Sequence, residues 1–217
     1  LVSARGLDGY ARRQDVPIVG RDAELAAIGQ AYDQLRRDRS PRLFTIVGDA
    51  GQGKSHLARA VIERIAGDAR ALRGRCLPYG DGITFWPLIG MVTQAADIRA
   101  DDTPDDACIK LIAAVGHADV AERLASATGF ATASFPLHEI YWAARKFLET
   151  IAADGPLIAV IDDIHWAEQA FLDLLEHVRD HAVDAPILLL ATARHDLLEV
   201  QPDWGTRPSE ARLLLRP

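Results

Sequence analysis

Lysine is scarce in this chain: Lys54, Lys110 and Lys146 are the only three among 24 Lys and Arg residues. Cysteine is scarcer still, with two residues, Cys76 and Cys108. Neither has a second cysteine or a histidine at metal-ligand spacing. That excludes a zinc framework and a disulfide-stapled scaffold, and predicts two buried thiols in a reducing cytoplasm. No apolar run approaches the roughly 20 residues that cross a bilayer. The opening Leu1-Val2-Ser3-Ala4-Arg5-Gly6 lacks the apolar region of a signal peptide. The expectation is therefore a cytoplasmic location and no membrane partner. Net positive charge is also missing: the formal charge is −7 and the pI about 5.5. Without a basic stripe or a recognition-helix signature, direct nucleic-acid binding by this segment is not expected. His177 and His181 are four apart on one helix face. With no third ligand nearby they read as a solvated face.

What is present is an ordinary globular composition, 49% hydrophobic and 25% charged over 217 residues, enough for a sizeable core. Residues 1–16 show no period and read as a linker. The remainder, 17–217, reads as one domain. Asp22 is the expected N-cap of a helix carrying Leu25, Ile28, Tyr32 and Leu35, which Ser40-Pro41 breaks. Leu43–Val47 reads as a buried strand, and Lys54 opens a helix that Gly67 ends. Ala71–Cys76 is a second candidate strand. Residues 84–153 read as mainly helical. Thr103-Pro104-Asp105-Asp106 is a helix start, with a capping hydroxyl, proline at the first position and acids in the first turn. Gly129 marks a stop, and a long amphipathic pattern follows over Pro136–Ala153. Leu157–Ile161 and Ile187–Thr192 are apolar runs suited to strands buried on both faces, separated by a helix over Ala167–Ala182. Arg212–Leu215 is a candidate last strand. Strands alternating with helices predict a mainly parallel α/β sheet covered on both faces.

Three segments carry chemistry. Gly48-Asp49-Ala50-Gly51-Gln52-Gly53-Lys54-Ser55 fits the phosphate-loop pattern G-x-x-x-x-G-K-[ST]. Glycines let the backbone wrap closely, so that inward amides and the next helix N-terminus form an anion site. Lys54 reaches the β- and γ-phosphates, and the Ser55 hydroxyl suits magnesium. The pattern arises by chance in roughly one chain in a hundred of this length. Lysine scarcity and the strand and helix on either side make chance rarer here. Second, the strand ending in Asp162-Asp163 puts one carboxylate where magnesium is held, Asp162, and one where a base polarises attacking water, Asp163. Third, Arg194 follows the Ile187–Thr192 strand, where a cation meets a γ-phosphate. His165 is placed to order the carboxylates or a neighbouring loop, and Trp166 to pack.

Val19-Gly20-Arg21-Asp22-Ala23-Glu24-Leu25, the phosphate loop, Asp162-Asp163-Ile164-His165-Trp166-Ala167-Glu168 and Ala191-Thr192-Ala193-Arg194 together resemble the STAND-type AAA-like P-loop ATPases. These are modules of multidomain bacterial adenylate/guanylate cyclases and of large LuxR-type transcription regulators. Arg73–Leu88 resembles the cyclase-associated branch, and Leu1-Val2-Ser3 the tail of a cyclase catalytic domain. The resemblance covers residues 17–217. It implies a P-loop NTPase three-layer α/β/α sandwich with a helical insertion between the second strand and the Asp-Asp strand. It implies ATP or ADP with Mg2+ as cofactors, and Val19, Gly20 and Arg21 near the adenine. Gly48 to Ser55 and His56 would line the phosphates, with Ser55 and Asp162 at the metal. Lys54, Asp163 and Arg194 would be the catalytic set. The function implied is an ATP-binding, slowly hydrolysing regulatory switch that speaks to neighbouring output domains: a cyclase, helical repeats or a DNA-binding domain. A nucleotide-dependent oligomer is a further expectation. Leu1 in place of Met and the abrupt end at Pro217 predict a piece of a longer protein, with the parts that complete the switch beyond it. The competing reading is a stand-alone P-loop ATPase or a small-molecule kinase, with Arg99, Arg123 and Arg145 available to an acceptor pocket in the helical middle.

Overall fold

The computed structural model describes residues 19–65, 67–78 and 84–216. The expected linker 1–16 and residues 79–83 of the Arg73–Leu88 stretch lie outside the described residues. Five parallel strands form one sheet: β1 (Arg42–Val47), β2 (Arg70–Arg75), β3 (Leu157–Asp162), β4 (Ile187–Ala193) and β5 (Glu210–Leu214). Their spatial order is β2-β3-β4-β1-β5. β3 and β4 are buried along their whole length, which is why they read as unbroken apolar runs. Successive residues face opposite layers. Phe44, Ile46, Ile158, Val160, Leu188 and Leu190 meet α1 (Asp22–Asp38) and α2 (Lys54–Ile65) on one side. Leu157, Ala159, Ile161, Ile187, Leu189 and Ala191 face the other layer, with Phe147, Leu174 and Leu175. That layer comprises α3 (Trp86–Ala95), α4 (Pro104–Val115), α5 (Ala118–Ala127), α6 (Leu137–Ile151) and α7 (Gln169–His181). The first four of these are the helical insertion between β2 and β3. The three-layer α/β/α architecture is as expected.

Local differences have local causes. Arg21, not Asp22, occupies the N-cap of α1, and no side chain caps it; Asp22 and Glu24 sit in the first turn, where the helix dipole favours acids. The helix after the acidic pair begins at Gln169 instead of Ala167, because Ile164–Trp166 form a 3-10 turn first. The last strand ends at Leu214, with Leu215 beyond it. A short helix, α8 (Asp196–Val200), follows β4. His177 is half-buried against the Tyr141 ring, 5.8 Å between centroids, so its helix face is not simply solvated. Cys76 is buried, but Cys108 only partly; both are free thiols.

Candidate nucleotide site

Strand order decides which residues meet. Along the carboxyl edge of the sheet, β2 ends at Arg75, β3 at Asp162, β4 at Ala193 and β1 at Val47. Arg75, Asp162, Arg194 and Gly48 therefore lie side by side although they are far apart in sequence. Ligands of open parallel sheets bind at this edge.

Gly48 continues the sheet, its N–H donating to the Ala193 carbonyl at 3.1 Å. The chain then turns through Asp49, Ala50 and Gly51, all exposed, and enters α2 at Lys54. Gly51 and Gly53 have φ of 84° and 83°, the left-handed region in which a side chain costs energy. Gln52 Oε1 accepts from the Asp49 N–H at 2.8 Å and closes the loop on itself. Lys54 is 8% exposed, and its ammonium donates to the Gly48 and Asp49 carbonyls at 2.7 and 2.8 Å. Burial draws its pKa below the ordinary lysine value; Asp163 and Asp49 pull the other way, and Arg194 adds to the lowering. His56 is half-buried in the first turn of α2.

Ser55 Oγ donates to Asp162 Oδ1 at 3.2 Å, and Thr192 Oγ1 donates to the same oxygen at 3.2 Å. Thr192 also accepts the Asp163 N–H at 3.0 Å. Asp163 lies at φ 62°, ψ 43°. That left-handed conformation, one Asp tolerates better than most residues, swings it out of line with β3. Its Oδ2 accepts from Arg75, with Nε at 3.1 Å and a terminal nitrogen at 3.0 Å. Arg73 approaches Asp162 at 4.0 Å. Cys76 donates its N–H to the Asp162 carbonyl at 2.9 Å, and its thiol is pushed up to about 12 by burial and then by the two aspartates. Both effects disfavour its thiolate.

Val19 and Gly20 are exposed. The Arg21 guanidinium donates to Glu24 at 2.8 Å and to the Arg216 carbonyl at 2.9 Å, beside the strand that pairs with β1. The fold thus gathers Lys54, Ser55, Asp162, Asp163 and Arg194, and holds Arg21 on their flank. Sequence reasoning placed Thr192 and Arg75 in stretches that carry the resemblance but gave neither a role. A lone hydroxyl at the end of an apolar run was the available signal for Thr192; Arg75, one arginine among many, gave none.

The donor set suits a small hard cation: a hydroxyl and a carboxylate, both oxygen. Among the described residues no group of three His, Cys, Asp or Glu could cage an ion alone. Magnesium is usually held by one or two protein oxygens together with phosphates, and the Ser55 hydroxyl and Asp162 carboxylate are oxygens of that kind. No helix among the described residues is long and apolar enough to cross a membrane.

Comparison with known proteins bears on the fold and the family. An uncharacterized protein of Rhizobium meliloti (strain 1021) is 28% identical over 218 residues, covering 94% of this chain and 21% of its own length. The chain thus spans about a fifth of that relative. The structure of the Aeropyrum pernix ORC2 protein, in complexes with ADPNP and ADP, superposes with a TM-score of 0.51 at 14% identity. That match covers 94% of this chain and 50% of the other, and shares the fold. The sequence profile described as AAA ATPase domain matches residues 17–190, well over half of the chain, and the chain belongs to that family.

Proposed function

We propose that this domain is a nucleotide-operated switch: it binds ATP or ADP with magnesium at Gly48–Ser55, hydrolyses ATP slowly, and reports the bound state to neighbouring domains of a bacterial signalling protein of the cyclase or LuxR type. The observation that carries the reading is the Ser55–Asp162 hydrogen bond, which closes the phosphate loop onto the end of β3 across 107 residues. In this reading the loop amides and the α2 N-terminus bind the phosphates. Lys54 exchanges its two carbonyl partners for phosphate oxygens. Ser55 and Asp162 hold magnesium, which when bound neutralises developing phosphate charge. Asp163 accepts the proton of the attacking water, and Arg194 meets the γ-phosphate. Val19, Gly20 and Arg21 border the adenine, and His56 the phosphates. Slow turnover is supported by the Arg75–Asp163 pair, which occupies the carboxylate that must receive a proton.

The kinase reading lacks comparable support. Arg99, Arg123 and Arg145 pair with Asp97, Glu139 and Glu149, carboxylates of the helical insertion.

Calorimetry with Mg-ATP and Mg-ADP tests the proposal. Wild type is expected to bind both, and Lys54→Ala neither. Turnover of the isolated domain should stay below about 1 s⁻¹, the low end of ordinary enzymes. Fast turnover, or phosphoryl transfer to a small acceptor, would favour the kinase or stand-alone ATPase.

A further inference from the structure

The 3-10 turn after the acidic pair grips Arg194 at two points, and nothing in the chemistry above uses it. The Arg194 N–H donates toward His165 Nδ1 at 3.4 Å. The Arg194 guanidinium lies over the Trp166 ring, 5.9 Å from its centroid. The two rings touch each other, 5.0 Å between centroids. One turn thus links the end of β3 to the end of β4, holding the main chain through His165 and the side chain through Trp166.

The manner of holding matters. An aromatic face attracts a cation without taking any of its N–H donors. Among the described residues, the Arg194 guanidinium has no hydrogen bond or ion pair, only the ring. It lies near enough to Lys54 for its charge to act on the lysine ammonium. Two neighbouring cations, one with all its donors unspent, suit a polyanion. Trp166 is 44% exposed, so core packing does not account for a tryptophan here. His165 is half-buried, and desolvation lowers its pKa, which keeps the neutral form with an acceptor nitrogen.

We propose that His165 and Trp166 are positioning residues that present Arg194, donors free, to the terminal phosphate of a nucleoside triphosphate, so that this turn sets the preference for ATP over ADP. The proposal rests on the reading of the site given above. ADP lacks the group that Arg194 would meet, so the turn acts on the triphosphate alone.

Calorimetric dissociation constants for Mg-ADP and for a magnesium complex of a non-hydrolysable ATP analogue provide the test. Arg194→Ala should reduce the triphosphate preference. Trp166→Ala and His165→Ala should each reduce it about three- to tenfold through the triphosphate constant, the scale of one cation–π contact for the first and of one hydrogen bond for the second. Trp166→Phe, which keeps a ring face, should recover most of it. Trp166→Ala combined with Arg194→Ala should be no worse than Arg194→Ala alone. The proposal is overturned if Trp166→Ala and His165→Ala keep the wild-type preference while Arg194→Ala loses it. It is also overturned if both nucleotides weaken equally, which marks a merely structural role. Absence of binding by wild type, or undiminished binding by Lys54→Ala, would instead sink the reading of the site, and the proposal with it.

Discussion

Thr192 shows how little of the site a single residue announces. It is fully buried, donates to Asp162 Oδ1 and accepts the Asp163 N–H. Both acids are therefore held by one hydroxyl from the neighbouring strand. Thr192→Val keeps the shape and removes both bonds. We expect a loss of about 1–3 kcal/mol, the cost of leaving such groups without partners. The urea midpoint reads it, and Thr192→Ser should retain most of the stability. An unchanged midpoint for the valine variant would show that the hydroxyl holds neither acid. In the sequence, Thr192 is one more β-branched residue in a strand. Its partners lie about 30 residues away, and Asp163 lies 88 residues from Arg75. Lys54 and Ser55 stand out in the sequence for the opposite reason: loop, lysine and hydroxyl are contiguous, as the phosphate-loop pattern has them.

Elements show the same divide between local and distant causes. The start of α4 was readable because everything it needs lies within four residues. Thr103 Oγ1 accepts the Asp106 N–H at 3.1 Å, and the Asp106 carboxylate returns to the Thr103 N–H at 3.2 Å. The placement of α3 was not readable, because it depends on β2. Gln94 bonds the Arg73 N–H and carbonyl at 3.0 and 2.6 Å, covering the edge strand as another strand would. Contact this close requires Gly74 and Gly90. A Cβ on Gly90 would lie 2.8 Å from the Arg73 carbonyl oxygen, and one on Gly74 would run into the Pro87 backbone. Neither position involves unusual backbone; the constraint is space. Gly90→Ala should therefore destabilise by about 1–3 kcal/mol, the usual cost of overpacking. Faster amide exchange in β2 is expected beside it. A stable Gly90→Ala variant with unaltered exchange would mean that α3 is free to shift away from the sheet. Because β2 carries Arg75, loosening α3 should also loosen the Arg75–Asp163 pair. Gly74→Ala, aimed at the same backbone from the strand side, is expected to act in the same direction.

At the scale of the whole molecule, parallel strands and amphipathic helices were visible, but the order of the strands was not. β3 and β4 are equally apolar, and nothing local says that β4 lies between β1 and β3. That order follows from how all the crossovers pack together, and it brings Arg194 beside the phosphate loop. Packing of the helical layer carries a pH dependence that the sequence also hid. His177 on α7 stacks on His181, 4.4 Å between centroids, and touches Tyr141 of α6. Burial lowers its pKa below 6.5; the charges of His181 and Arg145 push the same way, and Asp180 and Glu149 oppose them. The unfolded chain thus takes up the proton first as pH falls. The stability that neutral His177 contributes is complete above 6.5 and is lost as pH falls through the lower, folded value. The urea midpoint should accordingly hold steady above neutrality and decline below it, ahead of the carboxylates that titrate near 4. His177→Phe keeps a ring against Tyr141 and cannot take a proton. Its midpoint should be flatter through that first window and fall with wild type only at lower pH. If the phenylalanine variant declines as steeply as wild type there, the acid sensitivity belongs to other groups and the α6–α7 contact is indifferent to the charge on His177.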